Sequence, residues 1–174
     1  SYGGSSKEYF ESGDSLLITI IFAVLVVYLV LSAQFESFRN PITIILTVPI
    51  ALTSGLYTLF LTGTSINVYS QIGFLMLIGL IAKNGILVVE FANQLRREGL
   101  NIEEAIIQSS MIRLRPVMMT TISTLLGAIP LVLSTGAGSE SRYSMAIVVL
   151  GGIAISSLIT LYLVPALYRF IETK

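Results

Sequence analysis

The sequence contains no cysteine and no histidine. Their absence excludes disulfides, thiol chemistry and the usual ligand sets of zinc and copper sites, so no metal and no cofactor is expected. Charge is almost as scarce. Only 11% of the 174 residues are charged, against about 25% in an ordinary soluble domain. That leaves too little polar side chain to cover a water-facing surface. The ten basic and ten acidic residues cancel and no basic run occurs, which argues against nucleic acid as a partner. The chain does not begin with methionine, and its polar, glycine-rich opening, SYGGSSKEYFESGD, has no basic region ahead of an apolar stretch. It does not read as a signal peptide, and it reads as the start of a fragment of something longer.

What the chain has in excess is long apolar runs. Apolar residues make up 54% of it, and the mean hydropathy is +0.87. Five runs reach about 20 residues, the length a helix needs to cross a hydrocarbon core of about 30 Å. They predict an all-α membrane protein, a bundle of five transmembrane helices occupying residues 15–174, with residues 1–14 as a stub outside the membrane. The spans are expected at about 15–33, 42–61, 72–92, 117–134 and 144–170. Asp14 is placed to cap the first. Pro41 suits the first turn of the second, and Pro49 should kink it. Pro116 opens the fourth, with Pro130 near its far end, and the fifth holds Gly151-Gly152 and Pro165. Small residues four apart, Ala51 with Gly55 and Gly152 with Ser156, favour close helix packing in lipid.

Lysine and arginine set the orientation. Arg39, Arg96, Arg97, Arg113, Arg115, Arg169 and Lys174 fall on one side, Lys7 and Arg142 on the other. The first group is expected in the cytoplasm, with the N-terminus outside (periplasmic in a bacterium) and the C-terminus cytoplasmic. Between spans three and four, Asn101-Ile102-Glu103-Glu104 has the capping-box spacing. It predicts a short amphipathic helix at about 101–112, lying on the cytoplasmic interface or else solvated there.

One residue stands out against this background. Lys83 lies near the middle of the third run, IGFLMLIGLIAKNGILVVEFA, followed by Asn84. A lysine at the bilayer centre costs roughly 2.5–3.5 kcal/mol on insertion scales. Snorkelling is the bland explanation, but about ten apolar-rich residues on either side put both interfaces beyond an easy reach. The alternative is a cation facing the bundle interior, paired with a carboxylate or with backbone carbonyls. The chain offers no acid at that depth. Glu90 is seven residues on, about 10.5 Å along the axis, and reads as an interfacial acid. Glu36 falls in a cytoplasmic loop. Either the anion comes from another segment, or Lys83 stands in a wet cavity. Thr120, Thr121, Ser123 and Thr124 cluster early in the fourth span. They can bond their own helix carbonyls, or one of them can face Lys83.

The strings GLIAKNGILVVEFANQL, RLRPVMMTTISTLLGAIPLVLSTGAGSESR and LVPALYRF, with AQFESFRNPITIILTVPIAL earlier, resemble the C-terminal membrane half of resistance–nodulation–division (RND) efflux pumps. The likeness runs from about residue 2 to 170 and is nearest to the hydrophobe/amphiphile multidrug branch. It implies helices eight to twelve of a twelve-helix transporter domain in the bacterial inner membrane, a secondary transporter rather than an enzyme. It also implies proton-driven drug antiport by a homotrimer, working with a periplasmic adaptor and an outer-membrane channel, with protons as the coupling ion. By position, Lys83 matches the family's relay lysine, Asn84 the asparagine after it, Thr120 the relay threonine and Arg113 the arginine at the cytoplasmic end of the proton path. The family's aspartate pair belongs to the N-terminal half, outside this chain, which agrees with the missing anion. A separately encoded half-pump, a membrane assembly module and a truncated, non-functional fragment are the competing readings.

Overall fold

The computed structural model describes residues 5–36 and 38–172, which form six helices and, among the described residues, no strand. They are α1 (Ser5–Phe35), α2 (Arg39–Ile45), α3 (Val48–Thr62), α4 (Val68–Arg97), α5 (Ile102–Val132) and α6 (Ser139–Glu172). Five stretches are long and apolar enough to cross a membrane: Ser15–Phe35, Asn40–Thr62, Val68–Arg97, Ile102–Val132 and Ser139–Glu172.

The helices run past the apolar runs at several ends. α1 begins at Ser5, so Asp14 lies inside it and does not cap it. Lys7, Glu8 and Glu11 tolerate a helix, and Gly13 alone opposes one. The second span breaks at Leu46–Thr47, between α2 and α3. Pro49 has no N–H to offer the Ile45 carbonyl, so the ladder cannot run through. Thr47 closes the gap instead: its N–H and its hydroxyl both donate to the Ile44 carbonyl, at 3.0 and 2.6 Å.

The segment before Pro116 departs from expectation. No separate interfacial helix forms at 101–112; those residues are the first turns of a continuous 31-residue α5 with Pro116 inside it. The face containing Ala105, Ile106 and Ser109 is buried in the bundle, and the Ser109 hydroxyl donates to the Val88 carbonyl of α4 at 2.6 Å. That packing holds the helix together through a proline that would end it in water. Asn101 is at the N-cap position but its side chain makes no capping bond. Glu103 pairs with Arg169 of α6 at 2.5 Å.

α4 and α6 form the spine. α6 packs on α2, α3, α4 and α5, and two buried clusters lie along the α4–α6 seam. One joins Ala51, Phe74, Leu77 and Val148; the other joins Ile44, Val89, Val164 and Tyr168. Gly152 allows the close approach. A Cβ built there would lie 2.4 Å from Leu77 Cδ2, inside any real contact. α1 is the least packed helix. Leu17, Ile18, Ile21, Phe22, Leu25, Leu29 and Val30 leave an exposed apolar belt on it.

A polar groove between α4 and α5

α4 opens with a capping box. Asn67 Oδ1 accepts from the Ser70 N–H at 2.9 Å, and Ser70 Oγ accepts from the Asn67 N–H at 2.8 Å. From that start the helix turns its apolar face, Leu77, Ile78, Ile81, Ala82, Gly85, Val88 and Val89, into the bundle. Lys83 falls off that face. It is exposed at the surface of these helices, and among the described residues it has no ion pair or hydrogen bond. The interior position expected for it is therefore not met by these helices alone. The helix spacing that buries Ile81, Ala82 and Gly85 leaves Lys83 off the buried face.

Lys83 opens onto a small groove also lined by Leu80, Asn84, Thr120, Thr121, Thr124 and Ile153. Three of the four residues singled out in the sequence are thus brought together by α4 and α5. The hydroxyls divide. Thr120 Oγ1 donates to the Val117 carbonyl at 3.0 Å and Thr124 Oγ1 to the Thr120 carbonyl at 2.8 Å, so both are satisfied on their own helix. Thr121 is buried, lines the same groove, and its Oγ1 has no partner. Within the hydroxyl run, only tertiary placement marks out Thr121, and the sequence carries no separate signal for it.

Arg113 is not part of the groove. It lies seven residues before Thr120, about 10.5 Å along α5. Its guanidinium stands 4.7 Å from the centroid of the Phe91 ring, and its Nε is buried without a hydrogen bond. Such cation–π contacts contribute about 0.5–2 kcal/mol depending on desolvation. Glu90 is exposed on α4 and lines a different hollow, so it offers Lys83 no counter-charge.

A second polar assembly, not foreseen from the sequence, fastens the far ends of α4 and α6. The buried Tyr168 hydroxyl donates to Asn93 Oδ1 at 2.6 Å. Arg96 donates to Tyr168 Oη at 3.3 Å and to Glu172 at 2.5 Å. The only sequence trace is helical spacing, Asn93 with Arg96 and Tyr168 with Glu172. Among the described residues no cluster of acids could hold a metal ion.

The groove can hold a cation beside hydroxyl and amide groups, and it presents no carboxylate. It is suited to a lysine whose counter-ion is supplied from outside these helices. Residues 1–172 match the model of the AcrB/AcrD/AcrF family. Similar proteins include an uncharacterized transporter of Haemophilus influenzae, 38% identical over 180 residues. Multidrug resistance protein MdtC of Proteus mirabilis and that of Escherichia coli O9:H4 are each 42% identical over 173 residues. Each comparison covers 99% of this chain and 17% of the relative, so the chain spans about a sixth of their length.

Proposed function

Because the chain belongs to the AcrB/AcrD/AcrF family, a group of RND transporters, we propose that it carries the lysine side of an intramembrane proton relay in a drug/proton antiporter. The observation that supports this most is the groove itself: Lys83, Asn84 and Thr120 line one concavity, beside a buried, unpartnered Thr121 hydroxyl and without an acid. A carboxylate pair from another segment of the transporter supplies the anion. With the pair ionised, Lys83 is held toward it. Protonation neutralises the anion, and most of the attraction is lost. The ammonium then turns to the acceptors on its own side, Asn84, Thr120 and Thr121. Helix packing that is stable in two arrangements converts the change into movement. Arg113 serves at the cytoplasmic end of the proton path, two turns from Thr120.

The same reading places the protein in the bacterial inner membrane as a multi-pass protein with its N-terminus periplasmic and C-terminus cytoplasmic. The functional unit is a homotrimer of the complete transporter, joined to a periplasmic adaptor and an outer-membrane channel. Amphiphilic drugs are the cargo, moved by the proton-motive force.

The test is Lys83→Met in the complete transporter. Expression and trimer assembly should be unchanged, while proton-coupled drug efflux from everted vesicles falls to background. Efflux at the wild-type rate would remove Lys83 from the relay.

A further inference from the structure

Arg113 and Arg115 read alike in the sequence, and the structure separates them. Arg115 is exposed and, among the described residues, meets neither an acid nor a ring. Arg113 is half-buried, and its guanidinium carbon lies over the Phe91 ring of α4, 4.7 Å from the centroid. Among the described residues Arg113 forms no ion pair, and its buried Nε makes no hydrogen bond. The ring face is the attraction that these helices offer the cation.

Phe91 is seven residues beyond Asn84 on α4, and Arg113 is seven before Thr120 on α5. Seven residues are close to two turns. Each member of the contact therefore falls on the same face of its helix as a residue lining the Lys83 groove. The contact and the groove share one seam, about 10.5 Å apart, with the contact nearer the α4–α5 turn. Between the two levels each stripe carries one apolar residue, Leu87 on α4 and the buried Val117 on α5.

An arginine stays protonated at any working pH. It does not take up and release the proton itself. What it brings to a proton path is a permanent charge and a set of N–H donors, and their value depends on where they are held. A carboxylate would hold the guanidinium more strongly but would cancel its charge. The negative face of a phenyl ring attracts the cation and brings no opposing charge.

We propose that, with Arg113 serving the cytoplasmic end of the proton path as proposed for it, Phe91 is the positioning residue for that end. Its ring fixes the guanidinium on the α4–α5 seam, in line with the Lys83 groove, and leaves the charge unneutralised. Phe91 handles no proton and acts only through Arg113.

The test uses the complete transporter with Phe91 replaced by mono-, di- and trifluorophenylalanine. Each fluorine withdraws electron density from the ring face and changes its size little, so a ring that only fills space is indifferent to the series. Drug efflux from everted vesicles, measured per folded protein, should fall stepwise with fluorine number. Phe91→Leu, which keeps apolar bulk without a ring, should slow efflux about two- to thirtyfold, the span that a cation–π contact supplies. Phe91→Tyr, which keeps the ring face, should stay near the wild-type rate. Equal rates across the fluorinated series, or a wild-type rate in Phe91→Leu, overturn the proposal. Should Phe91→Leu fail to fold, the fluorinated series alone decides. Arg113→Ala tells the two readings apart. Slowed efflux in that variant beside a flat fluorinated series removes Phe91 and leaves Arg113 in the path. A wild-type rate in Arg113→Ala removes Arg113 and overturns the role of Phe91 with it.

Discussion

At the scale of single residues, Lys83 and Thr120 are coupled by position and not yet by a bond. Thr120 spends its hydroxyl on the Val117 carbonyl in this structure, so the relay role proposed for it requires it to accept from an approaching ammonium. A helical threonine can do so without releasing its own bond, since its oxygen keeps lone pairs free. Thr120→Ala should therefore slow efflux several-fold without abolishing it, and should leave thermal stability within about 1 kcal/mol of the parent. Efflux assays in everted vesicles check the first part and thermal unfolding in detergent the second. Near-normal efflux would leave Lys83 in the relay and remove Thr120. Lys83 itself is legible in the sequence because a charge in a 20-residue apolar run has no cheap explanation. Thr121 is not, because four hydroxyls in five residues look alike until a second helix chooses among them.

At the scale of elements, the apolar runs locate all five long helices, because bilayer thickness demands a length that few soluble helices supply. Where they end is less legible. Asp14 looks like a cap and lies mid-helix; Pro116 looks like a start and is passed through. At Pro116 the outcome rests on what packs alongside, which local propensity does not encode, whereas before Asp14 the helix simply starts earlier, at Ser5. The glycines sort in the same way. Gly127 and Gly152 are indistinguishable as letters, yet a Cβ at Gly127 meets nothing within 4 Å while one at Gly152 strikes Leu77. Gly152→Ala should destabilise the protein by about 1–3 kcal/mol, because Leu77 is fully buried and cannot move aside. Gly127→Ala should be neutral or stabilise by up to about 1 kcal/mol. A lowered unfolding temperature for the first variant and none for the second is the expected pattern.

For the molecule as a whole, the orientation proposed from charge asymmetry is open to direct test, and the lack of cysteine makes it easy to measure. This chain contributes no thiol background. Ser65→Cys, in the α3–α4 link, should react with an impermeant maleimide added to intact spheroplasts. Glu98→Cys, in the α4–α5 turn, should react only after the membrane is opened. The reverse pattern would invert the topology and with it the direction assigned to the proton path. The joining of α4 to α6 bears on the same scale. Asn67 Nδ2 donates to Ser144 Oγ at 3.1 Å near one end, and Tyr168 bonds Asn93 near the other. The two fastenings are 26 residues apart on α4, about 39 Å. Interlocked glycine contacts fill the interval, a Cβ at Gly73 coming within 3.0 Å of the Met145 carbonyl. Two helices hydrogen-bonded near both ends and keyed between resist sliding past one another. They are held to move as one unit. In the relay proposed for Lys83, a displacement begun there is expected to carry to both ends of that unit, where α4 meets the short polar links.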